Sequence, residues 1–160
     1  MFPQITNYEK GIIVKISNNI IIDNNGLRVV NTKGSPINND NSDITPIDEE
    51  YLKRAKKYIS LLKKSQKINH SINSYSLKHR AENYLNYIAQ TRHKDTYVSN
   101  GALISAMILS GFNYKCFKHM SLFEWKPIQH IYEVDEFTSI NVCFNVFSRQ
   151  IKDLNKKHKI

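Results

Sequence analysis

The sequence predicts an α+β fold, with a small N-terminal β-hairpin or sheet, a three-helix core and a C-terminal antiparallel strand pair. Three observations predict it: β-branched runs with turn signals in residues 11–32, helical periodicity in residues 46–109, and strand-like patterns in residues 128–147. The 160 residues are enough for one domain with a hydrophobic core. We expect an N-terminal β-hairpin arm (1–32), a linker (33–44) and a compact α+β domain (45–160).

The N-terminal arm contains the segments GIIVKIS (11–17) and NNIIIDNNGLRVVNT (18–32), which are typical of antiparallel strands. Asn25-Gly26 can supply the two positive φ angles that a tight hairpin turn needs. The next stretch, KGSPINNDNSD (33–43), has too few apolar residues to pack, so it is expected to be an exposed linker.

The first predicted helix extends from Pro46 to Lys67, with Thr45 as its N-cap and acidic residues in its first turn. At about 100° per residue, its apolar and basic side chains fall on opposite sides. The apolar side contains Ile47, Tyr51, Ala55, Tyr58, Ile59 and Leu62. The basic side contains Lys53, Lys56, Lys57, Lys63, Lys64 and Lys67.

Two further helices follow. In the second, residues spaced for one apolar face are Leu77, Ala81, Tyr84, Leu85 and Ile88, with Ser74 or Ser76 as the N-cap. The third helix begins at Ser99 or Asn100 and is apolar around its whole circumference over residues 102–109, so we expect it to be the fully buried core helix. Gly111 is expected to end it in a left-handed conformation, with Phe112 folding back.

The remaining segments predict strands and a tail. IQHIYEV (128–134) and SINVCFNVF (139–147) have strand-like patterns and are expected to pair with each other. The tail RQIKDLNKKHKI (149–160) can form a short helix on Ile151 and Leu154 before it ends in basic residues.

The charge balance favours acidic partners. Lys+Arg 23 against Asp+Glu 14 gives a net charge of +9, which suits nucleic acid, anionic lipid or an acidic protein surface. Two cysteines do not make a disulfide framework in a chain this long, so we expect a reducing compartment. No secretory signal or membrane-spanning run is recognisable, so we expect a cytoplasmic protein, with export by a specialised secretion system as the alternative.

Half of the chain, residues 73–148, contains a succession of motifs: SYSLKH..E (74–82), YVSNGALISA....GF (97–112) and N..FNV (141–146). This succession resembles a family of small, functionally unassigned proteins carried on bacterial plasmids, phages and integrated elements. The sequence departs from that pattern at Ser76, where the family has Gly, at Ile140, where it has Pro, and in a longer spacer between Glu82 and Tyr97. The resemblance implies a mobile-element origin and no established activity.

Two residue sets could support chemistry. Cys116-x-x-His119, completed by His130 and Cys143, offers thiolate and imidazole ligands for zinc, although the spacing matches no standard zinc module. A cysteine–histidine nucleophile pair is a second possibility, but no nucleophile elbow accompanies it. We expect buried cysteines, ordinary histidines and no cofactor. His79 and Glu82, at i and i+3, could form an acid–base pair or half of a metal site, but a hydrogen-bonded surface pair is favoured.

The sequence therefore predicts a non-enzymatic, basic accessory protein of a bacterial mobile element. Its lysine-rich helix side would contact phosphates, and exposed tyrosines among Tyr75, Tyr87, Tyr97 and Tyr114 would stack on bases. The alternative is an anti-defence or secreted effector protein that binds a host protein. A small enzyme that depends on cysteine and histidine is a lesser alternative.

Overall fold

The computed structural model describes residues 3–38, 42–89 and 96–158. The residues outside these ranges include 39–41 of the predicted linker and 159–160 of the predicted basic tail. An antiparallel sheet comes first, in the order β1 (Gln4–Tyr8), β2 (Gly11–Ser17), β3 (Ile20–Asp23), β4 (Gly26–Val29). Helices α1 (Glu49–Ile59), α2 (Ser74–Ala89) and α3 (Asn100–Leu109) follow.

The C-terminal part contains short strands and a last helix. They are β5 (Tyr114–Lys115), β6 (Phe117–His119), β7 (Trp125–Pro127), a 3₁₀ turn (Ile131–Glu133), β8 (Cys143–Phe144) and α4 (Ser148–His158). The predicted α+β class is confirmed. In the described residues, no helix is both long and apolar enough to cross a membrane.

The hairpin between β3 and β4 turns one residue earlier than predicted. Asp23 pairs with Gly26, so the two turn residues are Asn24 and Asn25 rather than Asn25 and Gly26. The Asp23 carboxylate fixes this turn, because its Oδ1 accepts hydrogen bonds from the backbone N–H groups of Asn25 and Gly26 at 2.9 and 3.3 Å.

The predicted linker is not exposed throughout, because Asn38 is fully buried. Its side chain accepts a hydrogen bond from Val29 N at 2.8 Å and donates to the carbonyls of Leu27 and Thr138 at 2.9 and 3.1 Å. A polar side chain with three backbone partners can be buried without penalty, which composition alone does not reveal. Residues on both sides of this segment belong to one hydrophobic core, from Ile12 in β2 to Ile151 in α4.

Helix α1 is shorter than predicted at both ends. Asp48, not Thr45, is its N-cap, because Asp48 Oδ1 accepts a hydrogen bond from Glu50 N at 2.8 Å. Ile47 is not helical and instead exchanges two backbone hydrogen bonds with Ile12 of the sheet, at 2.7 and 2.9 Å. The helix ends at Ile59, eight residues before the predicted end at Lys67.

Helix α3 is the buried central helix, as predicted, with every residue from Asn100 to Met107 buried. Ser99 is its N-cap and accepts a hydrogen bond from Ala102 N at 3.1 Å. At its C-terminus, Gly111 has φ +86°, and Gly111 N and Phe112 N donate to the carbonyls of Ile108 and Met107 at 3.0 and 3.1 Å. These bonds form a Schellman motif, so the predicted left-handed glycine is confirmed.

Helix α2 buries Leu77, Ala81 and Leu85 as predicted, whereas Ile88 is exposed. Its cap is Asn73 rather than either predicted serine, because Asn73 Oδ1 accepts a hydrogen bond from Ser76 N at 2.9 Å. The side chain of Ser74 is used elsewhere and accepts a hydrogen bond from Val142 N.

The C-terminal strand pair exists, but its partners differ from the prediction. β8 pairs with β5, through Tyr114–Phe144 and Lys115–Cys143, and not with residues 128–134. Those residues contain the 3₁₀ turn instead of a strand. A separate hairpin is formed by β6 and β7. The predicted C-terminal helix is present as α4, and it buries Ile151.

Candidate nucleic-acid interface

Three of the six predicted lysines lie on α1. Lys53, Lys56 and Lys57 are all exposed on the side of the helix opposite its buried residues. Lys53 forms an ion pair with Glu50 at 3.4 Å, but both side chains are well exposed, so the pair contributes little to stability. Within the described part of the chain, Lys56 and Lys57 have no carboxylate partner. They are available to an external anion.

The other three lysines, Lys63, Lys64 and Lys67, lie beyond the end of α1, so the single lysine-rich helix side predicted from sequence is wrong. They belong to a loop, residues 60–73, that packs on the C-terminal segment. Gln150 of α4 holds the start of this loop, because its Nε2 donates to Leu61 O at 2.6 Å and its Oε1 accepts from Lys63 N at 2.8 Å.

The rest of the loop is attached in the same way. Ser65 and Asn145 exchange two hydrogen bonds at 2.8 and 2.9 Å. Asn69 N donates to Phe144 O, and Asn69 Nδ2 donates to Val146 O and Ser148 Oγ. These bonds take the place of the helical bonds that would have continued α1, and they explain why the helix stops.

The loop therefore lies beside the first turn of α4, which has its own basic residues. We call the exposed side chains of Lys63, Lys64, Lys67 and Arg149 the loop–α4 surface. Arg149 directly precedes Gln150, which holds the loop. Lys152, Lys156 and Lys157 of α4 are also exposed. Sequence reasoning did not group these residues with the lysines because more than 80 residues separate them. The Lys64 ammonium lies 5.6 Å from the centre of the Phe112 ring.

The tyrosines proposed for base stacking are only partly available. Tyr75, Tyr87 and Tyr97 are exposed, whereas Tyr114 is half-buried, and burial raises its pKa to about 12. The Tyr97 ring packs edge-on against Tyr51, with 5.0 Å between ring centres. These aromatic residues are not part of the loop–α4 surface.

The candidate acid–base residues, His79 and Glu82, belong to a hydrogen-bonded network that connects α2 to the segment before α3. Glu82 Oε1 accepts from Lys78 Nζ at 3.2 Å and lies 3.0 Å from His79 Nδ1, and Glu82 Oε2 accepts from Val98 N at 3.3 Å. Lys78 Nζ is almost buried, donates to Val98 O at 2.9 Å and lies 4.6 Å from the centre of the Tyr97 ring. Glu82 thus positions the segment that leads into α3 directly through Oε2 and, through Oε1, by way of Lys78.

Polar residues in the segments 97–113 and 141–146 also contact each other. Asn100 Nδ2 donates to Asn141 Oδ1 at 2.8 Å and to the carbonyl of Asn25 at 3.0 Å. Asn145 Oδ1 accepts from Asn113 N at 2.7 Å. These polar residues connect α3, the N-terminal hairpin and the C-terminal segment, so their side chains have structural partners.

The structure does not gather the four possible zinc ligands into one site. Cys116 and Cys143 are buried, while His119 and His130 are exposed and pack against aromatic rings. The His119 ring lies 3.8 Å from the Trp125 ring, and the His130 ring stacks on Tyr132 at 5.1 Å. In residues 3–38, 42–89 and 96–158, no three His, Cys, Asp or Glu side chains are arranged to hold a metal ion.

The two cysteines are poor nucleophiles in this fold. Burial raises the pKa of Cys116 to about 12 and that of Cys143 to about 11. Both thiols are therefore neutral at physiological pH, whereas nucleophilic cysteines rely on a lowered pKa. The electrostatics thus oppose a cysteine-dependent enzyme.

An exposed apolar tip was not anticipated from the sequence. The turn between β6 and β7 carries Leu122 and Phe123, which are 89% and 91% exposed, and Met120 and Trp125 flank them. Adjacent exposed apolar side chains of this size are typical of contact surfaces.

Comparison with family models, with curated proteins and with solved structures found no match to this chain.

Proposed function

We propose that this protein binds nucleic acid without catalysing a reaction, and that it contacts phosphates through the α1 lysines and the loop–α4 surface. The observation that carries the proposal is a group of exposed lysines on α1 and the loop after it that have no carboxylate partner within the described residues: Lys56, Lys57, Lys63, Lys64 and Lys67. A phosphate that binds such a lysine does not have to displace an internal ion pair. It also releases condensed counterions, which drives association.

The backbone that carries the loop lysines is held by the C-terminal segment. Hydrogen bonds from Gln150 and Asn145 fix the backbone at Leu61, Lys63 and Ser65, so little backbone entropy remains to be lost on binding. The net charge of +9 also attracts nucleic acid over distances longer than those of direct lysine–phosphate contacts.

The test is a binding titration of fluorescently labelled 20-mers, single-stranded and duplex, followed by anisotropy at 50 and 200 mM KCl. We expect binding at 50 mM that weakens at least tenfold at 200 mM, because each phosphate contact releases counterions. Binding that does not depend on salt, or no binding at 50 mM, would contradict the proposal.

A second candidate is an anti-defence or effector role through a host protein, and the exposed Leu122 and Phe123 tip favours it. A pull-down from host lysate, with and without nuclease, separates the two. A stoichiometric protein that survives nuclease treatment and is lost in Phe123→Ser would support this second candidate. Material that disappears after nuclease treatment would support nucleic-acid binding.

A further inference from the structure

Next to the loop–α4 surface, the structure contains a cavity of about 460 Å³. The loop supplies His70 and Asn73, the β6–β7 hairpin supplies Phe117 and Trp125, and the C-terminal segment supplies Asn141. This volume lies within the range of about 300–1,000 Å³ that is usual for small-molecule sites. No sequence motif indicated the cavity, because its walls come from three segments that are distant in the chain.

One wall of the cavity is aromatic. Trp125 is about half exposed, and its ring is supported by His119 at 3.8 Å between ring centres. The Phe117 ring is held edge-on by His70 at 5.5 Å. Flat rings held in place by neighbours favour a planar ligand that can stack on them.

The cavity is also lined by two side-chain amides whose N–H groups can donate hydrogen bonds to a ligand. Asn73 Oδ1 accepts from Ser76 N, and Asn141 Oδ1 accepts from Asn100 Nδ2, so both carboxamides are oriented by their oxygens. In the described ranges, neither Asn73 Nδ2 nor Asn141 Nδ2 donates a hydrogen bond to the protein. Fixed N–H donors beside an aromatic wall suit a planar ring that carries carbonyl or ring-nitrogen acceptors.

The position of the cavity connects it to the phosphate-binding lysines. The same loop that carries Lys63 and Lys67 reaches the cavity at His70, three residues and at most about 10 Å of chain later. A phosphate on Lys67 and a ligand ring in the cavity can therefore belong to neighbouring positions of one strand.

We propose that this cavity binds one unpaired nucleobase, so that the protein prefers single-stranded to duplex nucleic acid. The inference rests on the proposed function, because the loop lysines would hold the backbone of the same strand. A paired base cannot enter the cavity, since its faces are covered by the stack and its acceptors are used by its partner. The base is recognised by stacking on Trp125 and by hydrogen bonds from Asn73 and Asn141.

Trp125 is the only tryptophan in the sequence, so its fluorescence reports directly on the cavity. The experiment titrates the full chain with dT12, with dT12 containing an abasic site at every position, and with a 12-mer duplex. We expect saturable quenching with dT12 and little quenching with the abasic strand or the duplex. Equal quenching by all three, or no quenching by dT12 under conditions in which dT12 binds, would overturn the inference.

A pair of variants gives an independent reading by anisotropy. Trp125→Ala should weaken dT12 binding about 5- to 150-fold, the loss expected for one stacked base, and leave duplex binding and the salt slope unchanged. The matched control is Phe123→Ala, on the same hairpin but at its exposed tip, which should bind dT12 as the parent does. Equal dT12 affinity of Trp125→Ala and the parent would count against the cavity.

Free thymidine and adenosine separate a failure of this inference from a failure of the proposed function. If no strand binds at low salt, the proposed function fails, but quenching of Trp125 by either nucleoside would still support the cavity as a base site. If strands bind with a normal salt slope and neither nucleoside nor dT12 quenches Trp125, the inference fails and the proposed function stands.

Discussion

Gly101 lies directly against the backbone of Asp23: a Cβ atom on residue 101 would be 1.6 Å from the Asp23 carbonyl oxygen. Gly101 N also donates a hydrogen bond to Asn24 O at 3.1 Å. The N-terminus of the buried helix α3 thus rests on the turn of the β3–β4 hairpin. This contact connects the N-terminal sheet to the helical part of the core, and only glycine leaves room for it.

Gly101→Ala should therefore be strongly destabilising. The added methyl group would clash with backbone atoms, and no side-chain rotation can relieve that clash. We therefore expect the free energy of unfolding, measured in urea, to fall by about 3 kcal/mol or more. Gly34→Ala is the control, because nothing lies within 4 Å of its Cβ position and only its φ of +80° opposes the change. A loss of about 1 kcal/mol is expected there. Similar values for both variants would argue against the close contact.

Gly111→Val tests the Schellman motif. At φ +86° a β-branched residue is strained, so the free energy of unfolding should fall by at least about 1 kcal/mol. The nearest atom to a Cβ would be Lys64 Nζ at 2.9 Å, the mobile end of a long side chain, so backbone strain rather than a clash is responsible. An unchanged melting temperature would contradict the assignment.

The Glu82 network should contribute to stability rather than to catalysis. Glu82→Gln leaves the nearly buried Lys78 without a counter-charge, and we expect a loss of about 2–3 kcal/mol in the free energy of unfolding. His79→Ala should cost less than about 0.5 kcal/mol, because the imidazole is half exposed. If both variants unfold like the parent, the network does not hold the segment before α3.

The reactivity of the buried cysteines should keep rising with pH well above the pH at which an ordinary thiol is fully ionised. The pKa of Cys116 is about 12 instead of 9.0, so its alkylation by iodoacetamide should be slow at pH 8 in the native protein and rapid after unfolding. A plateau in the native rate near pH 7 would instead indicate an activated nucleophile.

The same raised pKa values predict a loss of stability in alkali. A thiol whose pKa is higher in the folded state contributes its full stabilisation when the pH is below its unfolded pKa, near 9.0. This contribution is lost as the pH rises through the folded pKa, which is about 11 for Cys143 and about 12 for Cys116. Between pH 9 and 11, each thiol should lower the free energy of unfolding by at most about 1.4 kcal/mol per pH unit. Urea titrations of the parent and of Cys116→Ala measure this slope, which should be shallower in the variant.

Local signals allowed the central helix to be predicted from sequence. Ser99 as the N-cap, the apolar residues between, and Gly111 at the end all act within a few residues of the helix they define. The hairpin was predicted from the same kind of signal, although its turn lies one residue earlier, because the Asp23 carboxylate captures two backbone N–H groups.

The end of α1 could not be predicted, because the signal that stops it is distant. Helical periodicity and lysines continue to Lys67, but Gln150 and Asn145 hydrogen-bond the backbone of Leu61, Lys63 and Ser65. Tertiary partners thus override local propensity. The partner of β8 was predicted wrongly for the same reason, because the residues that pair with it are distant in the chain. The residues of the loop–α4 surface and of the cavity beside it also come from distant parts of the chain, so the sequence indicated neither.

The most direct test of nucleic-acid binding is the salt dependence of single-strand affinity for the parent and for the triple variant Lys63→Gln, Lys64→Gln, Lys67→Gln. On single strands each phosphate contact contributes about −0.7 to the log–log slope, so the variant should be shallower by about two units and retain its melting temperature. A control variant with Lys10→Gln and Lys33→Gln, exposed lysines of the N-terminal half, should keep the slope of the parent. If the triple variant binds with the affinity and slope of the parent, the loop–α4 surface does not contact nucleic acid, and the central claim is wrong.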